Sequence, residues 1–392
     1  MASKQWEEKT LADVCEQIFS GGTPKRKIKS YFGGTIPWVV VKDIQPIITE
    51  TSEYLTESGF KSCSAKMWKK GTVILSTGAT IGKVGIAGRD LCTKQGITGL
   101  VPKKEMNNEF LAYYLTTITE QLKSKSVGGT IKEIYKKELE KIPIPVPPIE
   151  TQLKIINTLN AITDVQNKNN NMIQYTDNFF QSVFNDIIGD VANNSKKWDV
   201  VKLEEVIQET QYGVGSSLQL KGEVPCLRMN NITSEGSIVL DNLKYLDDDK
   251  IIKKYLLNKG DILFNRTNSR ELVGKTAIFD LDGRYTFAGY LVRLVVNRKK
   301  CNPYYVATFM NHPIIKQKIR RMALGSVGQA NINANKIQSL NILLPPLNIQ
   351  ETFVNSFKII SQLLTKLIHQ KTNYENLLNS TKKNIFSRDL MN

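Results

Sequence analysis

Histidine is almost missing from this sequence: His312 and His369 are the only two in 392 residues. That leaves little scope for a histidine-based triad or a histidine-held metal. Cysteine is scarce too. Cys15, Cys63, Cys92, Cys226 and Cys301 are odd in number, widely spaced and without a C-x-x-C pair, which argues against a disulfide framework or a cysteine-rich zinc site. No apolar run approaches the roughly 18–20 residues that span a bilayer. The opening MASKQWEEKTLADV is acidic and polar where a signal peptide would be apolar. No Pro-Asp dipeptide occurs, so the usual nuclease carboxylate pattern lacks its opening. These absences predict a soluble, cytoplasmic chain that is not an enzyme and needs no metal or cofactor of its own.

Positive charge is what the sequence has in excess. There are 53 Lys+Arg against 37 Asp+Glu, a net charge of +16. With 41% hydrophobic residues the chain can fill packed cores, and its length suggests two or three domains. A basic intracellular chain poor in catalytic residue types points first to nucleic acid, although charge alone would equally serve solubility.

The second half of the chain restates the first at a lag of 188 to 200 residues. Trp6-Glu7 with Leu11, Asp13 and Val14 returns as Trp198-Asp199 with Leu203, Glu205 and Val206. Ile36-Pro37-Trp38 through Asp43-Ile44 returns as Val224-Pro225-Cys226 through Asn231-Ile232. Lys70-Gly71 matches Lys259-Gly260, Gly82-Lys83 matches Gly274-Lys275, and Ser126-Val127-Gly128 matches Ser326-Val327-Gly328. Last, Pro147-Pro148 followed by Gln152 returns as Pro345-Pro346 followed by Gln350. A period this long means two whole domains and excludes a solenoid of small units.

After each diproline comes a proline-free amphipathic stretch of some 40 residues. In the second, Phe353, Phe357, Ile360, Leu364, Leu367, Lys371, Tyr374, Leu378, Thr381 and Ile385 step by four and three, a heptad seam. The equivalent seam in the first is Ile155, Leu159, Ile162, Gln166, Asn169, Ile173, Thr176, Phe180, Val183 and Ile187. Two helices of ~60 Å that pair are expected. The predicted division is 1–149 (first globular half), 150–190 (first helix), 191–346 (second half) and 347–392 (second helix). The halves carry +7 and +9, the helices −3 and +3. Short strands such as Val39–Val41, Val73–Leu75, Ile262–Phe264 and Leu291–Val296 mix with helical stretches at Asn108–Lys123 and Pro303–Arg321, so each half is expected to be α+β. Trp6, Trp38 and Trp198 sit at frame positions and read as core.

Three enzyme-like motifs fail on inspection. Asn302-Pro303-Tyr304-Tyr305 is close to the motif with which amino-methyltransferases flip a base, but it lacks the second proline, and its repeat counterpart is Asn107-Asn108-Glu109-Phe110. A helix start is the better reading of both. Gly274-Lys275-Thr276 would need glycine where Ser269 stands to make a phosphate loop, and the stretch Gly78 to Gly82-Lys83 is one residue short. Both are expected to be turns between strands.

The duplicated order of domain and helix resembles the specificity subunit of type I restriction–modification systems. The residues that carry the likeness are the paired Trp-acid-x3-Leu-x-acid-Val openings, Ser20-Gly21-Gly22-Thr23-Pro24, Ile36-Pro37-Trp38 and the Pro-Pro-x-x-x-Gln that starts each helix. The resemblance covers essentially the whole chain. It implies two target recognition domains, each reading one half of a split duplex site. It also implies an antiparallel pair of spacer helices on which two copies of the methylase subunit dock for adenine methylation, and restriction (motor-nuclease) subunits that add cleavage. A bipartite DNA-binding regulator without methylase partners, or a stand-alone methyltransferase, would be the alternatives.

Base reading needs donors and acceptors held on loops. In the first half the candidates are Thr23, Lys25, Arg26 and Lys27 around the Gly-Gly-Thr-Pro turn, then Thr77, Thr80, Gln95 and Thr130. In the second half they are Tyr212, Arg228, Asn230, Gln329 and Asn331, with Asn265, Arg266, Asn268 and Arg270 as the densest cluster, two Arg and two Asn within six residues. Any one of them could instead be a turn residue bonding its own backbone.

Overall fold

The computed structural model describes residues 6–128, 132–326 and 329–386, with the side chains of 324–326 and 329 left aside. The chain forms two compact units, residues 1–171 with 368–392 and residues 172–367. Each unit therefore takes one globular half and part of both long helices.

In the first unit a sheet runs in the order Cys15–Ser20, Ile97–Pro102, Val73–Ser76, Val84–Ala87, Ile47–Ile48. All its neighbours are antiparallel except the last pair. A second sheet is built on Phe32–Val39, and Glu7–Thr10 pairs with Pro143–Val146 just before the first long helix. The second unit repeats the plan. Its main sheet has the order Ile207–Tyr212, Leu291–Val296, Ile262–Asn265, Thr276–Ile278, and Asp199–Lys202 pairs with Asn341–Leu344 before the second long helix. The α+β expectation holds for both halves. The strand expected at Val39–Val41 ends at Val39, because the Asp43 carboxylate accepts the Val40 amide at 3.0 Å and closes a 3-10 turn over Val41–Asp43.

The helical stretch after Asn107 breaks at Ile118 into Asn108–Thr117 and Thr119–Ser124. The one after Asn302 breaks at His312 into Pro303–Asn311 and Pro313–Met322, since a proline that lacks an N–H can start a helix but not continue one. Asn107 and Asn302 are the N-caps, each accepting amides of the first turn. The methyltransferase-like motif is thus a capped helix start.

The long helices are Ile149–Ile187 and Leu347–Phe386. In the first unit Ile155, Ile156 and Leu159, near the start of the first, share a core with Leu378, Ile385 and Phe386, near the end of the second. In the second unit Phe180 and Phe184, near the end of the first, pack on Phe353 and Phe357, near the start of the second, with ring centroids 5.3 to 6.3 Å apart. The helices therefore run antiparallel. Every expected seam position except Lys371 is buried or half-buried, so the 4,3 spacing identified the packed face.

The glutamine that follows each diproline is the joint between helix and domain. Gln152 is fully buried; its Nε2 donates to Pro147 O and Glu105 O (both 2.8 Å) and its Oε1 accepts from Asn107 N at 2.8 Å. Gln350, equally buried, donates to Pro345 O at 2.7 Å and accepts from Asn302 N at 2.8 Å. One amide thus ties the first turn of the long helix to the N-cap of a domain helix. Trp38 is fully buried as expected, while Trp6 and Trp198 are partly buried against their cores.

Candidate nucleic-acid interface

Four segments that are distant in sequence converge in each unit on the same backbone bonds. In the first unit Gly21 N donates to Ile97 O, Gly22 N to Thr93 O, Thr77 N to Gly96 O, and Ile134 N to Thr77 O. In the second, Gly213 N donates to Leu291 O, Val214 N to Phe287 O, Arg266 N to Tyr290 O, and Ile332 N to Arg266 O. The approach is close enough to exclude side chains at the crossing. A Cβ on Gly21 would lie 2.0 Å from Thr93 O, and one on Gly213 would lie 2.3 Å from Ala288 O. The candidate loops of the first half, around residues 21–24, 76–80 and 94–97, are therefore neighbours, as are those around 212–214, 265–268 and 330–332 in the second.

The side chains differ where the backbones agree. Thr77 is buried, with its hydroxyl 3.1 Å from that of Thr98, and has no face left for a base. Arg266, in the equivalent slot, is half-buried; its Nη2 donates to Asn331 Oδ1 at 3.3 Å and its guanidinium lies 5.0 Å from the Tyr212 ring centroid. The positions matching Tyr212 and Asn331 are Ser20 and Glu133. Asn265 is buried and spends its amide on Thr267 O, Tyr290 O and the Asn268 amide, so it and Asn268 shape the loop.

Arg26 is held otherwise. Two of its nitrogens meet Glu53, at 2.5 and 3.2 Å, and its guanidinium sits 5.0 Å from Phe32 and 4.9 Å from Trp38. Its charge is already matched by a carboxylate of its own domain. Lys25, Lys27, Thr80, Gln95, Asn230 and Arg270 are exposed, and Thr23 is half-buried. Arg228 is half-buried and donates from Nη2 to Asn242 O at 2.5 Å. Thr130 lies outside the described residues, and so does the side chain of Gln329.

Glu53, Glu133, Tyr290 and the pair Lys66 and Lys136, whose ammonium groups stand 3.2 and 4.4 Å from the Phe19 centroid, escaped the sequence reading. Strand pairing brings Glu53 opposite Trp38 and a bridge brings Glu133 to Gly78, while Lys66 reaches Phe19 from a loop and Lys136 from the start of a helix, and no local pattern announces any of them.

The phosphate-loop look-alike is, as expected, a turn, and its lysine supports it. Lys275 Nζ donates to Met229 O at 2.7 Å and to Ile232 O at 2.5 Å, and burial pushes its pKa down; Lys83 reaches Val41 O in the same way at 3.4 Å. Burial pushes the thiols of Cys15, Cys92 and Cys301 up to about 12 and that of Cys226 to about 11, which suits packing and not nucleophilic attack. Among the described residues no group of His, Cys, Asp and Glu could hold a metal ion, and no helix is long and apolar enough to cross a membrane.

Comparison with known proteins gives the family and the fold. The family described as "Type I restriction modification DNA specificity domain" matches residues 3–175 and again residues 195–375. A type I restriction enzyme specificity subunit (MjaIX) of Methanocaldococcus jannaschii is 26% identical over 94% of this chain and 89% of its own length. A second from that organism (MjaVIII) is 25% identical over 92% and 87%. In fold, the crystal structure of a type I system S subunit from M. genitalium matches with a TM-score of 0.65 at 13% identity, covering 98% of this chain and 96% of that one. The class is a DNA-recognition subunit that is not itself catalytic. The chain belongs to the type I restriction–modification DNA specificity family.

Proposed function

We propose that each unit reads one half of a split duplex site with its four-segment loop cluster. The observation that carries this is the cluster itself, built twice on the same hydrogen bonds but lined by different side chains. Equivalent frames present the two readers in equivalent poses to a duplex whose backbone has its own twofold symmetry, and unlike linings ask for unlike half-sites. The exposed Lys25 and Lys27 suit phosphate contacts, which position a reader without specifying sequence. The globular parts act as target recognition domains, and the antiparallel helices act as a spacer that holds the half-sites about one helical turn (~34 Å) apart. Two copies of a methylase subunit dock along them for adenine methylation, and restriction subunits add cleavage.

The test is genome-wide adenine methylation in the host with this gene intact and with it deleted. A gapped, asymmetric motif that vanishes on deletion is the expected result. An unchanged methylome in cells that express the protein would overturn the reading.

A further inference from the structure

Resting on that reading, we propose that Arg266 reads a guanine in the half-site of the second unit, and that the first unit has no equivalent reader. Guanine offers two acceptors, N7 and O6, on its major-groove edge, and a guanidinium presents two parallel donors that match them. Arg266 is fixed for that work at both levels. Its main chain is pinned on both sides, N to Tyr290 O at 3.0 Å and O from Ile332 N at 2.9 Å. Its side chain is braced by Asn331, whose Nδ2 in turn donates to Thr267 Oγ1 at 3.0 Å, and by the face of Tyr212, whose hydroxyl accepts Ala334 N at 3.0 Å. Pairing of Thr267 with Asn331 across two short strands keeps these parts together.

None of these braces is anionic, so the charge of Arg266 stays available. Nη1 has no partner among the described residues, and the buried Nε has none either. A guanidinium with its Nε buried and its Nη1 without an acceptor gains from a ligand that brings two acceptors to its Nη1 and Nη2 edge. Arg26 is the internal control: it too lies over aromatic rings, but Glu53 occupies its fork. In the slot that matches Arg266 the first unit carries the buried Thr77, and where Asn331 stands it has Glu133, an acceptor-only side chain.

Selection from a random duplex library tests this, using the specificity subunit assembled with its methylase partner. The wild type is compared with Arg266→Gln and with Asn331→Ala, thermal melts confirming that each variant is folded. The wild type is expected to enrich a split motif with one guanine whose preference falls roughly 5- to 150-fold in Arg266→Gln, the span of one bidentate pair. The preference should move toward adenine, which pairs with a side-chain amide, while all other positions hold. Asn331→Ala, which removes only the brace, should weaken the same guanine alone. An unchanged motif, or an even loss across all positions as from a phosphate contact, would overturn the assignment while leaving the split-site reading intact. If the wild type enriches no split motif, the split-site reading falls and the guanine falls with it.

Discussion

The two units of this chain keep the same backbone bonds and the same glutamine joint, and part company in the side chains that line their loops. Gln152 and Gln350 share two bonds, accepting the N-cap amide and donating to the first carbonyl of the diproline, and the same amides bond across the loop crossings. Yet the two arginines that lie over aromatic rings have opposite circumstances. Arg26 is closed off by a carboxylate, whereas Arg266 is braced by neutral groups. The two arginines stand at different places in the repeat, and the slot that holds Arg266 holds the buried Thr77 in the first unit, so the shared backbone frame is kept while the side chains that line it change. An unmet buried donor costs about 1–3 kcal/mol, while an exposed side chain can change at almost no cost to folding.

The latch should give the largest effects. Gln152→Leu strands Asn107 N, Glu105 O and Pro147 O, and Gln350→Leu strands Asn302 N and Pro345 O. Each is expected to cost about 2–4 kcal/mol in chemical denaturation. Similar losses at the two joints would support their equivalence; a loss at one joint only would break it.

A smaller, pH-dependent effect separates the units. His312 packs at a tilt against Phe184 with ring centroids 4.8 Å apart, its Nδ1 is buried without a partner among the described residues, and burial lowers its pKa below 6.5. A base whose folded pKa is depressed contributes stability above its unfolded value and loses it as pH falls through the folded one. The second unit should therefore weaken from pH 6.5 downward, and His312→Gln should flatten that slope in urea titrations taken at several pH values. An unaltered slope would remove His312 from the account.

The smallest expected change in stability is that of Glu53→Gln, at most about 1 kcal/mol, because the pair it breaks is only partly buried and stays open to solvent screening. Its informative readout is binding. Freeing Arg26 should tighten association with duplexes of any sequence and steepen the salt dependence by up to about 0.9 in log–log slope, one phosphate's worth. No change in slope would mean that Arg26 faces away from the backbone of the DNA.

Much of the fold was legible because it rests on repetition and period. The lag between halves, the diprolines and the 4,3 seam all survive in the linear sequence, and so did the reading of Asn302-Pro303 as a helix start. The glutamine of the Pro-Pro-x-x-x-Gln motif was visible, but its partners at Glu105 and Asn107 lie more than 40 positions upstream, so its task was not. The site was less legible. Thr77 and Asn265 carry suitable chemistry but point inward, and the Arg266 brace joins residues 65 positions apart across strands whose register the sequence does not advertise. Composition marked the loops; pairing chose the side chains.

The glutamine latch also has a genetic consequence. It reads mostly main-chain groups: two carbonyls and one amide in the first half, one of each in the second, where the Cys301 thiol is the one side chain it meets. A joint that recognises backbone constrains few side chains of the insert, which must end in the same short turn and keep the apolar face that packs on the helices. Recombination between two such joints would deliver a new half with its packing contacts to the helix already specified. A lineage could then acquire a new address for its methylation by exchanging one segment, with the helices and the other reader left as they were.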